Sequence, residues 1–400
     1  MTRTETNTKR FLAATGQALF SLLFNFMGLF AGGLVASSLG LFDRIPWALV
    51  IYPGILSIRG AIGGLYSGRL STALHLGTIK PRLFGNTEEA YVLFNTVNTL
   101  TLVSALLMGS FGSLVGVVVT GTPLREFPVI MSVIVASMGL SILVISPLTF
   151  WVSVISYRRG LDPDVLVYPV VSTLADLIIT GLYIGVLSLV AYVPGRSLLI
   201  LNLVNLVFVA TILFSVRKIY RNREFVTTVK EFMMTLVIVT IIVNITGTAL
   251  NRITEVIGRR PEVFMIYPAL IDTVGDVGSI IGSTATTKMA LGVMATEVRA
   301  ILSHWVEIGS AWAASLIMFM LYALTSGAVY GIWRFPDLLA EALTTNLLIV
   351  PIIVVISFAT AVITRRRGLD PDNFIIPIET SISDGMTTIG LLVAITIILR

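Results

Sequence analysis

The 400-residue sequence has no cysteine and only two histidines, His75 and His304. Without cysteine there is no disulfide, no thiolate nucleophile and no thiolate metal site. Two histidines are too few for a histidine-rich zinc or copper pathway. Charge is scarce as well: charged residues make up 12% of the chain and hydrophobic residues 56%, with a mean hydropathy of +0.94. A soluble domain carries about twice that share of charge, so a soluble enzyme or binding module is excluded. Alternating apolar and polar residues over short segments, the mark of a membrane β-barrel, are also missing. The net charge of +5 is not a nucleic-acid signal here, because basic residues of a membrane protein gather on its cytoplasmic side.

What the chain does have is long apolar runs. Stretches of about 20 apolar residues recur from end to end, each able to cross a bilayer core of ~30 Å. The first ten residues, MTRTETNTKR, are polar, and the apolar run behind them is too long for a signal-peptide core. The pattern predicts an all-α polytopic membrane protein embedded in lipid. Eleven spans are expected, near 11–41, 46–76, 89–120, 127–157, 163–193, 197–216, 227–258, 262–292, 300–332, 338–364 and 371–399. With the N-terminus in the cytoplasm, the inner loops hold roughly twice as many basic residues as the outer ones. That orientation leaves the C-terminus outside a plasma-membrane protein.

The spans divide into a five-helix unit over 1–195, a linker helix and basic loop over 196–224, and a second five-helix unit over 225–400. Five spans end on the side opposite to where they began, and the single linker returns the chain. Both units then run the same way up, as parallel repeats related by a pseudo-twofold axis along the membrane normal. Such a chain has a central seam of its own and is expected to work as a monomer.

One stretch is written twice. Residues 157–184 read YRRGLDPDVLVYPVVSTLADLIITGLYI, and residues 365–392 read RRRGLDPDNFIIPIETSISDGMTTIGLL. At an offset of 208, Arg158 falls on Arg366, Asp176 on Asp384 and Thr180 on Thr388. Asp162-Pro163 and Asp370-Pro371 have the form of helix starts, with Asp as cap and Pro at the first position. The acid halfway along the apolar run is different. A charge at mid-membrane costs at least ~2.5–3.5 kcal/mol, so acids persist there mostly for function.

The second span of each half repeats too, at an offset of 215. YPGILSIRGAIGGLYSGRLSTALHLG at 52–77 faces YPALIDTVGDVGSIIGSTATTKMALG at 267–292. Gly, Ser and Thr in these helices permit close backbone approach and supply hydroxyls. Asp272 and Asp276 stand four apart, on one face; the first half has Ser57 and Ala61 there, and Arg59 in place of Val274.

These repeats resemble the membrane domain of the MgtE family, and more closely the magnesium transporters of solute carrier family 41, which are built from two tandem five-helix units joined by one helix. Pro53, the Arg69-Leu70-Ser71-Thr72 run and Gly77 fit the second-helix signature; Pro268, Gly275, Thr287 and Gly292 fit it more loosely. Ala61 and Asp276 stand where the family has an asparagine after glycine, and His75 stands for a later asparagine. The resemblance implies transport of Mg²⁺ and places the pore carboxylate at Asp176 and Asp384. It implies no catalytic residue. Gating by an attached soluble sensor domain, found in bacterial members, is not expected.

Two carboxylates converging from matched helices repel unless a cation lies between them. Magnesium prefers oxygen ligands and sheds water reluctantly, so two acids and a few hydroxyls suit a largely hydrated ion. Ser172 and Thr180 lie four residues either side of Asp176, and Thr380 and Thr388 flank Asp384 likewise. Asp272 and Asp276 extend the path toward one mouth with Thr286 and Thr287, or pair locally with Lys288 or Arg59. Glu379 reads as an entrance or inter-helix contact. Arg59 reads as a salt bridge to an acid of the other half, or as a tethered cation in the empty site. Asn95, Asn98, Thr99 and Thr101 read as inter-helix glue, and His304 and Glu307 as interfacial residues. Calcium, manganese and cobalt stay open as cargo. So do a proton- or sodium-coupled carrier of another solute and an intramembrane Mg²⁺-dependent lipid enzyme.

Overall fold

The computed structural model describes residues 3–159, 163–193, 195–258, 260–367 and 371–398. Among them there is no strand, and eleven helical segments are long and apolar enough to cross a membrane. The first is interrupted: α1 (Arg3–Leu22) passes through a 3-10 turn at Leu23–Met27 into α2 (Gly28–Ser37), and a short α3 (Leu39–Arg44) follows. Then come α4 (Pro46–Leu76), α5 (Glu88–Thr120), α6 (Phe127–Arg158) and α7 (Pro163–Tyr192). The linker is α8 (Ser197–Ile219). The second half holds α9 (Arg223–Ile257), α10 (Pro261–Ala290), α11 (Trp305–Tyr330), α12 (Phe335–Arg367) and α13 (Pro371–Ile398). The expected caps Asp162 and Asp370 lie outside the described residues.

Sequence explains the ends of these elements. Pro46 and Pro261 open α4 and α10 at their first position, where the missing N–H costs nothing. Gly77 and Gly292, matched at the offset of 215, follow those same helices with φ of 73° and 69°, a left-handed conformation that glycine adopts without strain. α8 is lipid-facing along most of its length: Leu199, Leu203, Leu206, Leu213 and Phe214 are exposed. Its inner face is pinned to α6 by Asn202, which accepts from the Ser132 hydroxyl at 2.9 Å, and by Asn205, which donates to the Ser132 carbonyl at 3.0 Å.

The chain forms two compact units. One comprises Met1–Ala36, Arg252–Pro371 and Ile382–Arg400, and the other Ser37–Asn251 and Asp372–Ser381. These are not the sequence halves, because each repeat lends its first span to the unit built on the other repeat. Gly32 of α2 lies so close to α10 that a side chain there would run into the Met265 carbonyl oxygen. Gly247 of α9 lies in the same way on the Val50 carbonyl of α4. Gly32 and Gly247 differ by 215 residues, as do Val50 and Met265, so one contact is made twice. The pattern repeats one turn away. A Cβ on Gly28 would be 3.1 Å from the Ala269 backbone, and one on Gly54 would be 3.2 Å from Val243. Glycine at these points lets backbones meet where apolar lipid offers no hydrophobic drive.

Other matched contacts lie at the helix ends. Arg158 Nε donates to the Pro81 carbonyl at 2.6 Å and Arg366 Nε to the Thr296 carbonyl at 2.9 Å. The basic residues that open the written-twice stretch thus strap α6 and α12 to the loop after the second span. At the opposite end, Trp47 donates to Glu126 at 2.9 Å in one half, and the corresponding positions are Glu262 and Arg334, paired at 2.7 Å, in the other. Arg260 also binds Glu262 at 2.8 Å and Glu341 at 2.5 Å. Burial works against the Arg260 charge, but the hydrogen bonds to Glu341 and Glu262 outweigh it and hold its pKa above the ordinary arginine value.

Candidate functional site

In the unit carrying the first-half acid, α4 and α7 run side by side. The hydroxyls of Tyr52 and Thr180 bond at 3.0 Å, Tyr183 donates to the Ala48 carbonyl at 2.7 Å, and the Tyr52 and Tyr183 rings stack 6.2 Å apart. This register brings Arg59, two turns along α4 from Tyr52, to Asp176, one turn back along α7 from Thr180. The two form a buried ion pair, with side-chain exposures of 8% and 2%. Ser172 lies 3.5 Å from the same guanidinium. The partner of Arg59 is therefore an acid of its own half rather than of the other. Adjacency of the second and fifth helices within a repeat decides this, and one sequence pattern read along the chain does not display it.

The unit carrying the second-half acid repeats the scaffold with different charges. Tyr267 and Thr388 bond at 2.9 Å, and Thr388 donates to the Asp384 carbonyl at 2.7 Å. Thr180 and Thr388 are both fully buried, so these hydroxyls knit the second helix to the fifth. Val274, in the place of Arg59, is buried and apolar, and Asp384 is 9% exposed. Gly275 faces Ser383, whose hydroxyl lies 3.8 Å from where a Cβ would stand. Ser381 and Thr387, on the same helix, are buried as well.

Asp276 meets a residue that sequence reasoning passed over. Asn25, inside the 3-10 turn of the first span, donates to Asp276 at 2.8 Å and approaches the Thr273 hydroxyl at 3.4 Å; Thr273 in turn bonds Tyr322 at 2.8 Å. Asn25 is 2% exposed. An isolated asparagine in the apolar run FSLLFNFMGLF was the available signal. The equivalents of Asn25, Asp272, Thr273 and Asp276 are Thr240, Ser57, Ile58 and Ala61, so no carboxylate of the first half stands at these positions.

The remaining predicted residues fall as follows. Lys288 is engaged by Glu307 at 2.7 Å and by His304 at 3.2 Å, and Arg59 by Asp176. The local pairings that competed for Asp272 and Asp276 are thus taken up elsewhere. His304 is fully buried, with Nε2 3.0 Å from Thr284, and Glu307 also binds Arg10 at 3.1 Å. With Lys288 and Arg10, the pair clasps α1, α10 and α11 together. Asn95, Asn98, Thr99 and Thr101 each donate to the carbonyl four residues back in α5, so they bond within their helix rather than between helices. A serine, threonine or asparagine that cannot reach a neighbour satisfies itself this way in an apolar medium. Thr286 does the same onto Gly282, and Thr287 is exposed. Glu379 is buried at 9% exposure and Thr380 is partly buried.

Taken together, each half carries a second helix bonded to a fifth helix through a Tyr–Thr pair, with a buried carboxylate one turn away. Among the described residues no three His, Asp or Glu side chains come together as a metal cage; each place offers one carboxylate with neighbouring hydroxyls, oxygen donors of the kind hard cations take. No solved structure matches the chain. The sequence profile of the MgtE family, described as divalent cation transporters, matches residues 52–186 and 267–394. The two matched regions begin at Tyr52 and Tyr267, run into both fifth helices past Asp176 and Asp384, and cover well over half of the sequence; the chain belongs to the MgtE divalent cation transporter family.

Proposed function

We propose that this chain carries Mg²⁺ across the plasma membrane along a path lined by the acids of its two repeats. The observation that carries the reading is the matched carboxylate, Asp176 and Asp384, buried on the fifth helix of each half at a register fixed by the same Tyr–Thr bond. Arg59 pairs with Asp176 but has an apolar valine as its counterpart beside Asp384, so an ion pair with that position does not explain the acid in both copies, and a charge inside hydrocarbon is costly to keep. In this reading the carboxylates hold a largely hydrated ion through its waters, as Mg²⁺ prefers. Asp272 and Asp276 draw the ion toward them, with Asn25 fixing the Asp276 carboxylate. Ser172 and Thr380 supply hydroxyls beside the acids. Thr180 and Thr388 act as struts. The work is transport without bond chemistry, performed by one chain whose N-terminus is cytoplasmic.

The test is Mg²⁺ uptake into liposomes containing the purified protein, beside the Asp176→Asn/Asp384→Asn double variant. Uptake by the wild type and none above empty liposomes by the folded variant is the expected result. Equal uptake by both removes the paired acids from the path. No uptake by the wild type under any imposed gradient or voltage removes Mg²⁺ as the cargo and returns the coupled-carrier reading.

A further inference from the structure

We infer that Arg59 is a built-in competitor for the divalent cation: its guanidinium holds the counter-ion position of Asp176, and a metal ion reaches that carboxylate only by displacing it. The inference rests on the cation-transport reading and adds to it a residue that sets how tightly the first half takes the ion.

Two observations carry it. First, the register is the same in both halves. The Tyr52–Thr180 and Tyr267–Thr388 bonds, at 3.0 and 2.9 Å, put positions 59 and 274 at equivalent places relative to Asp176 and Asp384. One place holds a cation and the other a buried valine. Second, the Arg59–Asp176 pair is buried on both sides. A guanidinium keeps its charge at any physiological pH, so proton loss never vacates the position; only another cation can.

Neighbouring charge decides which occupant wins. A dication attracts a carboxylate more strongly than a guanidinium does, but must shed or share water to approach. Removing the resident cation takes away its competitor and leaves Asp176 unneutralised, which favours the metal on both counts.

The experiment uses the full chain in detergent. Thermal unfolding is followed by tryptophan fluorescence as Mg²⁺ alone, then Mn²⁺ alone, is titrated in. Arg59→Val copies the second half, and Arg59→Gln, which removes the charge but keeps a polar amide donor, serves in case the valine variant does not fold. Arg59→Gln is expected to lower the half-saturating Mg²⁺ concentration roughly tenfold or more, and Arg59→Gln/Asp176→Asn to abolish that gain. A half-saturation equal to or above wild type in Arg59→Gln overturns the inference, as does a gain that persists in the double variant. The readout is binding, not flux. A chain that binds but does not carry Mg²⁺ overturns the transport reading and leaves this one standing, whereas flux with unchanged half-saturation overturns this one alone.

Discussion

The two halves of the molecule agree in how they are packed and disagree in what charge they hold. Glycines 32 and 247, the tyrosine–threonine bonds and the arginine straps on the loops after the second spans are the same contacts made twice. At the level of the acids the halves part. One has an arginine–aspartate pair; the other has Asp272, Asp276 and Asp384, with no basic residue on α10 before Lys288 and none on α13. Contacts that fix backbone against backbone tolerate almost no change, since a methyl or a lost bond shifts a whole helix. Among the many positions where the repeats differ, the change of charge at 59/274, 57/272 and 61/276 is the one that bears on the acids.

The largest effects are expected from breaking what the halves share. Gly32→Ala and Gly247→Ala each drive a methyl into a carbonyl oxygen. Ordinary overpacking costs ~1–3 kcal/mol because side chains yield, and here the obstacle is backbone. Both variants should lose folded protein, scored by monodispersity in detergent and by thermal unfolding. Gly33→Ala, with open space around it, should be unaffected. If Gly247→Ala is harmless while Gly32→Ala is not, the two exchanged helices are not equivalent.

The next effect comes from making the second half resemble the first. Val274→Arg places a guanidinium where Arg59 stands in the first half, within reach of Asp384. A fixed cation then neutralises Asp384, and on the transport reading that acid loses its pull on the ion. Mg²⁺ uptake into liposomes should fall by about a hundredfold, the size expected when an opposite charge shifts a buried carboxylate by two decades. Folding should persist, because an ion pair replaces the buried valine. Undiminished uptake by a folded Val274→Arg protein would mean that Asp384 does not serve the ion.

Much of this arrangement is legible in the sequence, for a physical reason. Span length is set by bilayer thickness, so eleven apolar runs name eleven helices, and α4, α7, α10 and α13 begin within a residue of where periodicity and proline put them. Repeated residues mark repeated contacts, which is why Asp176, Asp384, Thr180 and Thr388 stand out without a structure. Three-dimensional adjacency between segments distant in sequence is another matter. Nothing along the chain says that the first span of each repeat packs in the unit built on the other, so Asn25 could not be joined to Asp276. The break in the first span was hidden too, since FSLLFNFMGLF is as apolar as a continuous helix needs. Nor could one pattern tell whether Thr180 points at an ion or at Tyr52, because both uses ask for the same hydroxyl.

The smallest expected effect tests that last point. If the Tyr–Thr bonds are struts of equal standing, Tyr52→Phe and Tyr267→Phe should each cost about 0.6–1.7 kcal/mol, the range of hydrogen bonds between membrane helices. The ring stays and only the hydroxyl leaves, so packing is preserved. The two losses need not be identical. Thr388 keeps its bond to the Asp384 carbonyl when Tyr267 loses its oxygen, which softens the penalty in the second half. In the first half the Arg59–Asp176 pair still ties α4 to α7, and an ion pair this buried resists slippage because separating it strands a charge. Each half thus has its own reserve, and the double variant should show the sum of the two singles within about 0.5 kcal/mol, as sites without shared partners do. Unfolding midpoints of the three variants in one detergent measure this. A Tyr52→Phe loss several times that of Tyr267→Phe would show that the first half depends on its strut to hold Arg59 on Asp176, and that the scaffold itself, not only its charges, has diverged.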